Sequence, residues 1–388
     1  MCAGAWLLSV FDAEGPRRGG LGDGMGAVWF EYVNGCIEMR GTRSLYFWGE
    51  FFNRREADVV FYIDRSDTPV PEAAAKLEAC GEKWIDMRRL WRAARPGLRD
   101  VLAAAGKVFA KSGAGFWTRL FEARAFAVQK LYESVFRRFR VKALIHHQEG
   151  GWKSVPQYAG LREAGGVSLG FHWSNYPFYN EANVPMAHDV MFVWGKTIYE
   201  LMQMREGRIC GRFLPSGLWM LPREGGPDPR KGLSENVKFV MAVFDSSCDR
   251  RIFQTPEMLS EFYEAVFGML EENPSWGALV KCKWSDGRGR LGAIPNGDLL
   301  EARAARLEGE GRLVFPPMET DPGTAALAAD LSVCFGLNTA GIIAGTVGAR
   351  AVHWDCAGFK RHFLYKDPDQ KVLFDDLVAL REAVSRAA

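Results

Sequence analysis

Between Ala329 and Asp355 the chain reads strand, polar turn, short glycine-rich helix and second strand, and few folds accommodate that order. Residues 331–335 form a short apolar run, the pattern of a buried parallel strand. Asn338 and Thr339 are good N-cap types, so a helix is expected to open there with backbone N–H groups exposed at its start. The small residues Ala340, Gly341, Ala344 and Gly345 would let that helix approach a ligand closely. A helix start at the carboxyl end of a parallel strand is a ready anion site. The alternative is an ordinary crossover that holds no ligand.

Strand-like and helix-like runs alternate over nearly the whole chain, which predicts an α/β protein with parallel sheets. At 388 residues the chain exceeds a single core, so two domains of roughly 180 residues are expected. The expected boundaries are 1–185, 186–372 and a closing helix over 373–388, with the strand at 190–193 opening the second domain. One long helical region is predicted over 107–140, and a loop over 285–298. A net charge of +2 argues neither for nor against nucleic acid, and with no other feature in its favour no nucleic-acid partner is expected. The eight cysteines have no Cys-x-x-Cys spacing and fit reduced thiols of a cytoplasmic protein. The N-terminus lacks a basic region before its apolar run and reads as a strand, not a signal peptide. No apolar run reaches the ~18 residues of a membrane span.

Several strand ends carry polar residues where open α/β sheets place ligand groups. After the strand ending near residue 146 come His147 and Glu149, the latter a candidate general base or a helix cap. His146 and His147 are adjacent, so on a strand at most one lines a cleft. Asp64 ends another strand. His172, Trp173 and Tyr176 end a third, suited to hydroxyl contact and to stacking on a sugar face. In the second half, Asp245, Ser246 and Ser247 follow one strand, and alternation puts Lys281 and Lys283 on one face of another. Together with Ser216, Gly217, Asn338, Thr339, Ala340 and Gly341 these compose an expected nucleotide-phosphate pocket. No metal site is expected, because the histidines lack helical pairing with carboxylates and no cysteine cluster exists. The glycine-rich segment 15–26 lacks the lysine ending of a P-loop. Residues 107–142 hold nine basic residues interleaved with phenylalanines, which fits an anionic membrane surface or a core helix with a solvated basic face.

The order of these features resembles GT-B glycosyltransferases, most closely bacterial surface-carbohydrate (polysaccharide or O-antigen) biosynthesis proteins. Three segments carry the likeness: His147 to Trp152 followed by Gly170 to Ser174; Asp189 to Gly195 followed by Ser216-Gly217; and Asn338 to Ala344 with Gly348 and Val352. Trp173 stands where the family's pattern has histidine. The resemblance implies two Rossmann-like domains facing across a cleft, the C-terminal one holding a nucleotide sugar and the N-terminal one a glycan or lipid-linked glycan acceptor. It implies no cofactor, no resident metal, and a cytoplasmic enzyme, peripheral on the inner face of the cell membrane if 107–142 meets lipid. Glu149 is then the expected base, Asp64 its reserve and His172 a further catalytic candidate; an inverting outcome is expected, since a positioned carboxylate suits direct displacement. A nucleotide-sugar 2-epimerase or a polyol-phosphate transferase of the same fold, and a non-catalytic glycan-binding partner in polysaccharide assembly, are the alternatives.

Overall fold

The computed structural model describes residues 28–31, 59–63, 70–79, 82–87, 89–90, 98–109, 115–146, 154–172, 187–203, 210–218, 228–250, 253–283, 287–317, 320–360, 362–366 and 371–388. The chain divides into two compact units, Met1–Trp173 with Tyr179–Gly217, and Ser174–Phe178 with Leu218–Ala388.

The first unit runs β1 (Val28–Glu31), β2 (Val59–Ile63), α1 (Val70–Ala79), β3 (Trp84–Asp86), α2 (Leu98–Phe109), α3 (Phe116–Arg138), β4 (Ala143–His146), α4 (Ser154–Glu163), β5 (Val167–Phe171), β6 (Val190–Val193), α5 (Lys196–Gln203) and β7 (Arg212–Pro215). Its strands form one parallel sheet in the order β3-β2-β1-β4-β5-β6-β7. Alternation along the strands gives it two cores. Trp29, Tyr62 and Leu144 pack with Tyr132, Val135 and Phe136 of α3, while Phe30, Phe61, Ile145 and Phe171 pack with Ala73 and Leu77 of α1.

Two expectations are corrected here. The strand at 190–193 does not open a second domain: β6 pairs with β5, Leu169 against Val190, so the sheet runs on past residue 185 and the first unit ends at Gly217. The long helical region expected over 107–140 is not continuous: it holds the end of α2 and the whole of α3, which starts afresh behind Gly115, whose backbone is extended. Glycine at a helix start carries no side chain to favour continuation.

The second unit runs β8 (Phe239–Phe244), α6 (Pro256–Glu272), β9 (Trp276–Lys281), α7 (Gly287–Gly292), α8 (Gly297–Gly309), β10 (Leu313–Val314), α9 (Pro322–Leu327), β11 (Leu331–Phe335), α10 (Thr339–Thr346), β12 (Ala351–Trp354), a 3-10 turn (Phe363–Lys366), β13 (Leu373–Phe374) and α11 (Leu377–Ala387). The sheet is again parallel, in the order β10-β9-β8-β11-β12-β13. Every residue of β8 and β11 is buried, as expected for central strands covered on both faces. One face packs large side chains, including Val243, Val280 and Phe335 against Phe262, Val266 and Leu300. The other is built of small ones: Ala242 and Cys334 meet Ala325, Ala326 and Ala344, which brings α9 and α10 close to the sheet. The expected closing helix starts later, at Leu377, since Leu373 and Phe374 pair with β12 as an edge strand.

Candidate functional site

The strand order of the second sheet reverses between β8 and β11, since β9 and β10 lie to one side and β12 and β13 to the other. Crevices at the carboxyl ends of strands beside such a reversal are where open α/β sheets bind ligands. Adjacent strands β9, β8 and β11 end there, so Lys281 and Lys283, Asp245 to Ser247, and Asn338 to Gly341 are brought to one edge of one sheet.

Asn338 ties this edge together. Its side-chain oxygen accepts from the Gly341 amide at 3.0 Å, which caps α10, while its amide nitrogen donates to the carbonyls of Phe244 and Phe335, each at 3.2 Å. One buried side chain thus joins the ends of β8 and β11 and starts the helix between them and β12. Two expectations change as a result. The Asn338 side chain and the Gly341 amide are spent on the protein itself. Gly341 is small for a packing reason as well: a Cβ there would lie 2.2 Å from the His353 ring and 2.8 Å from Cys334 Sγ. Thr339 and Ala340, on the first turn of α10, remain partly open to solvent. A helix start can hold an anion, and Thr339 and Ala340 are the positions of Asn338 to Gly341 that solvent reaches.

Asp245 continues β8 and its carboxylate is wholly enclosed. It accepts from the Lys283 backbone amide, from Tyr263 Oη at 3.3 Å and from Arg290 Nε at 3.3 Å. Burial raises its pKa, with the Lys283 amide and the Arg290 guanidinium pulling the other way. Arg290 also donates from Nη2 to the Ser246 carbonyl at 2.8 Å and to Cys248 Sγ at 3.3 Å. Asp245 therefore faces protein groups, and its effect at this edge is to hold Arg290 and the end of β9 in place. Ser247 is half-buried, Lys281 partly exposed and Lys283 exposed.

Arg290 was missed from the sequence because 285–298 reads as loop, whereas the structure forms α7 over Gly287–Gly292. Three glycines in six residues suppress the helical signal, and the burial of Leu291 restores the helix through packing.

Beyond β11 the same edge is lined by buried polar groups. His353 donates from Nδ1 to the Gly336 carbonyl at 3.0 Å, and burial lowers its pKa to about 4. Burial likewise lowers that of His362 to about 3. Tyr365 donates to one oxygen of Asp355, and the other is buried with no hydrogen-bond partner.

In the first unit, Ser216 and Gly217 follow β7. Ser216 donates its amide to the Val193 carbonyl at 2.9 Å, and Gly217 turns with φ +84°. They thus end the first sheet and belong to the first unit. His172, at the end of β5, is fully buried; its ring lies 4.3 Å from that of Trp194, whose indole donates to the His172 carbonyl. Beside it runs a buried polar chain that the sequence did not disclose. Gln157 donates to Tyr62 Oη, which meets His146 Nδ1 at 3.2 Å, and the His146 ring lies 5.5 Å from that of His188, itself 2.9 Å from Ser168 Oγ. His146 is buried and faces inward. Asp64, His147, Glu149, Trp173 and Tyr176, with the glycine segment 15–26, lie outside the described residues.

Among the described residues no cluster of three or more His, Cys, Asp or Glu is arranged to hold a metal ion, and no helix is long and apolar enough to cross a membrane. Cys210, Cys248, Cys282, Cys334 and Cys356 carry free thiols, and burial pushes those of Cys282 and Cys356 up to about 12.

No protein-family model matches the chain, and no curated protein matches it by sequence. Solved structures do. A Listeria monocytogenes protein assigned as a UDP-N-acetylglucosamine 2-epimerase superposes with TM-score 0.55 at 11% identity, covering 93% of this chain and 87% of the other. The glycosyltransferase of kitacinnamycin gives 0.52 at 14% identity, covering 94% and 91%. The UDP-GlcNAc 2-epimerase of Methanocaldococcus jannaschii gives 0.51 at 10% identity, covering 92% and 91%. These likenesses extend over nearly the full length of each chain and, with the two parallel sheets, show that the protein has the GT-B fold of two Rossmann-like α/β domains.

Proposed function

We propose that the protein is a glycosyltransferase that moves a sugar from a nucleotide-sugar donor to a growing surface glycan or its lipid-linked precursor, without a catalytic metal and with inversion. The observation that carries the reading is the edge of the second sheet at its strand reversal. There the start of α10 is open at Thr339 and Ala340, and Asp245 fixes the Arg290 guanidinium beside the end of β8. Oriented amides and an immobilised guanidinium suit a diphosphate, and stabilising charge on the departing nucleotide is the largest single term such a site can supply. Lys281, Lys283, Ser246 and Ser247 complete the donor side in this reading, and Asn338 and Gly341 support it from within the fold.

On the acceptor side Glu149 deprotonates the attacking hydroxyl, with Asp64 as reserve, while His147, Trp173 and Tyr176 contact the acceptor sugar. His172, buried against Trp194, orients that strand end rather than exchanging a proton. The enzyme works at the inner face of the cell membrane. Thermal-shift titration with UDP-, GDP-, CMP- and dTDP-sugars tests the donor, because a ligand that binds only the folded state raises the melting point. One series is expected to do so, undiminished by EDTA. Glu149→Gln is expected to keep that shift and lose about 100-fold or more in turnover; wild-type turnover would remove Glu149 from its role.

A second reading, a nucleotide-sugar 2-epimerase, is favoured by the epimerases among the neighbours. Acceptor-free isomerisation of the donor sugar marks that enzyme, and nucleotide release only with glycan present marks the transferase. Release of a sugar-free nucleotide from a polyol-phosphate donor, or carbohydrate affinity without nucleotide binding, would instead indicate the polyol-phosphate transferase or the glycan-binding partner.

A further inference from the structure

Helix α3 changes character along its length. From Val128 onward it is a core helix, with Leu131, Tyr132, Val135 and Phe136 buried. The basic residues Lys130 and Arg137 of that half both bind Glu133, at 2.7 and 3.0 Å. The first two turns differ. Trp117 is 77% exposed, Phe116 53% and Phe121 51%, three of the nine large apolar residues exposed among those described, within six positions. Phe116 and Trp117 meet edge to face at 5.5 Å and so present one aromatic surface. Across 107–124 the sequence carries Lys107, Lys111, Arg119 and Arg124 against Glu122.

We propose that the start of α3, with the adjoining α2, is the surface by which the protein docks on an anionic lipid bilayer. Tryptophan and phenylalanine are favoured at the lipid headgroup boundary, and an excess of basic residues around them complements anionic headgroups. A second copy of the chain is the poorer occupant, since a two-fold contact here would set like charges against each other. The contact is confined to the first turns of α3, because from Val128 onward the helix packs into the core and Lys130 and Arg137 bind Glu133. This inference does not depend on the donor chemistry, which is read in the other unit.

The test is flotation of the full chain with vesicles of phosphatidylcholine alone and of phosphatidylcholine with one part in three phosphatidylglycerol, at low and high salt. Binding is expected to the anionic vesicles only, and to weaken as salt rises. Trp117→Ala with Phe121→Ala is expected to reduce it about tenfold or more. Lys111→Gln with Arg124→Gln is expected to reduce it about fivefold for each charge removed. Trp117, Phe121 and Arg124 are exposed, so melting points and donor-induced shifts should match the wild type. Equal binding to neutral vesicles, or unchanged binding by both double variants, would overturn the proposal. So would a failure to float accompanied by self-association that Trp117→Ala abolishes, which would make the patch a dimer contact.

Discussion

Asp245 and Arg290 show how one buried pair shapes the candidate site. A carboxylate that is fully enclosed is tolerated only when charged and polar partners replace water, and here three do. Removing the guanidinium leaves that charge stranded. Arg290→Met is therefore expected to destabilise the second unit by about 3 kcal/mol or more, and the double change with Asp245→Asn by clearly less. Urea unfolding of the four members of this cycle measures the difference; a double loss equal to the sum of the two single losses would mean the pair is not coupled. Gly341 makes a second residue-scale case. Gly341→Ala drives a methyl into the His353 ring and Cys334, which have no room to retreat, so a loss of about 2–3 kcal/mol is expected in the same assay.

For the elements, the telling case is α10. It is short and its interior is nearly all small or apolar residues, so little of its stability comes from its own exposed face. The Asn338 cap carries that load, together with the junction of β8 and β11. Asn338→Ala is expected to cost about 2 kcal/mol, roughly 1 kcal/mol for the cap and a similar amount for two carbonyls losing a donor. Asn338→Asp keeps the acceptor that caps Gly341 but sets a negative charge beside those carbonyls and the proposed phosphate. It should therefore weaken donor binding by more than it lowers the melting point, as titration calorimetry beside thermal unfolding would reveal. The elements also differ in how legible they are: the strand at 331–335 stands out because a mostly apolar run carries a strong local signal. Helix α7 does not, because its glycines erase the local preference, and Arg290 is hidden with it.

At the scale of the whole molecule, two sheets share one strand order about the reversal point, the first adding β7 at its edge. The pH behaviour of the second unit follows from its buried histidines. His353 and His362 stay neutral in the folded chain down to about 4 and about 3, while in the unfolded chain each takes up a proton near 6.5. Their contribution is intact above that value and is lost as pH falls, by up to about 1.4 kcal/mol per pH unit for each histidine. Between pH 6.5 and 5 most carboxylates remain ionised, so the slope there is expected to halve in a His353→Asn variant. Denaturant midpoints at pH 7, 6 and 5 read it out, with unchanged slope the contrary result. What the sequence determined alone was the class of fold, the parallel character of both sheets and the strand–turn–helix unit at Asn338. Each of these rests on hydrophobic period, turn chemistry and capping, which act over a few residues. What only the tertiary structure decided was where the first sheet stops and which polar groups face the protein. It also gave α7 and its arginine to the candidate site. Strand pairing, burial and the claim of one side chain on another join residues far apart in the chain, and no local pattern encodes which partner a group will find.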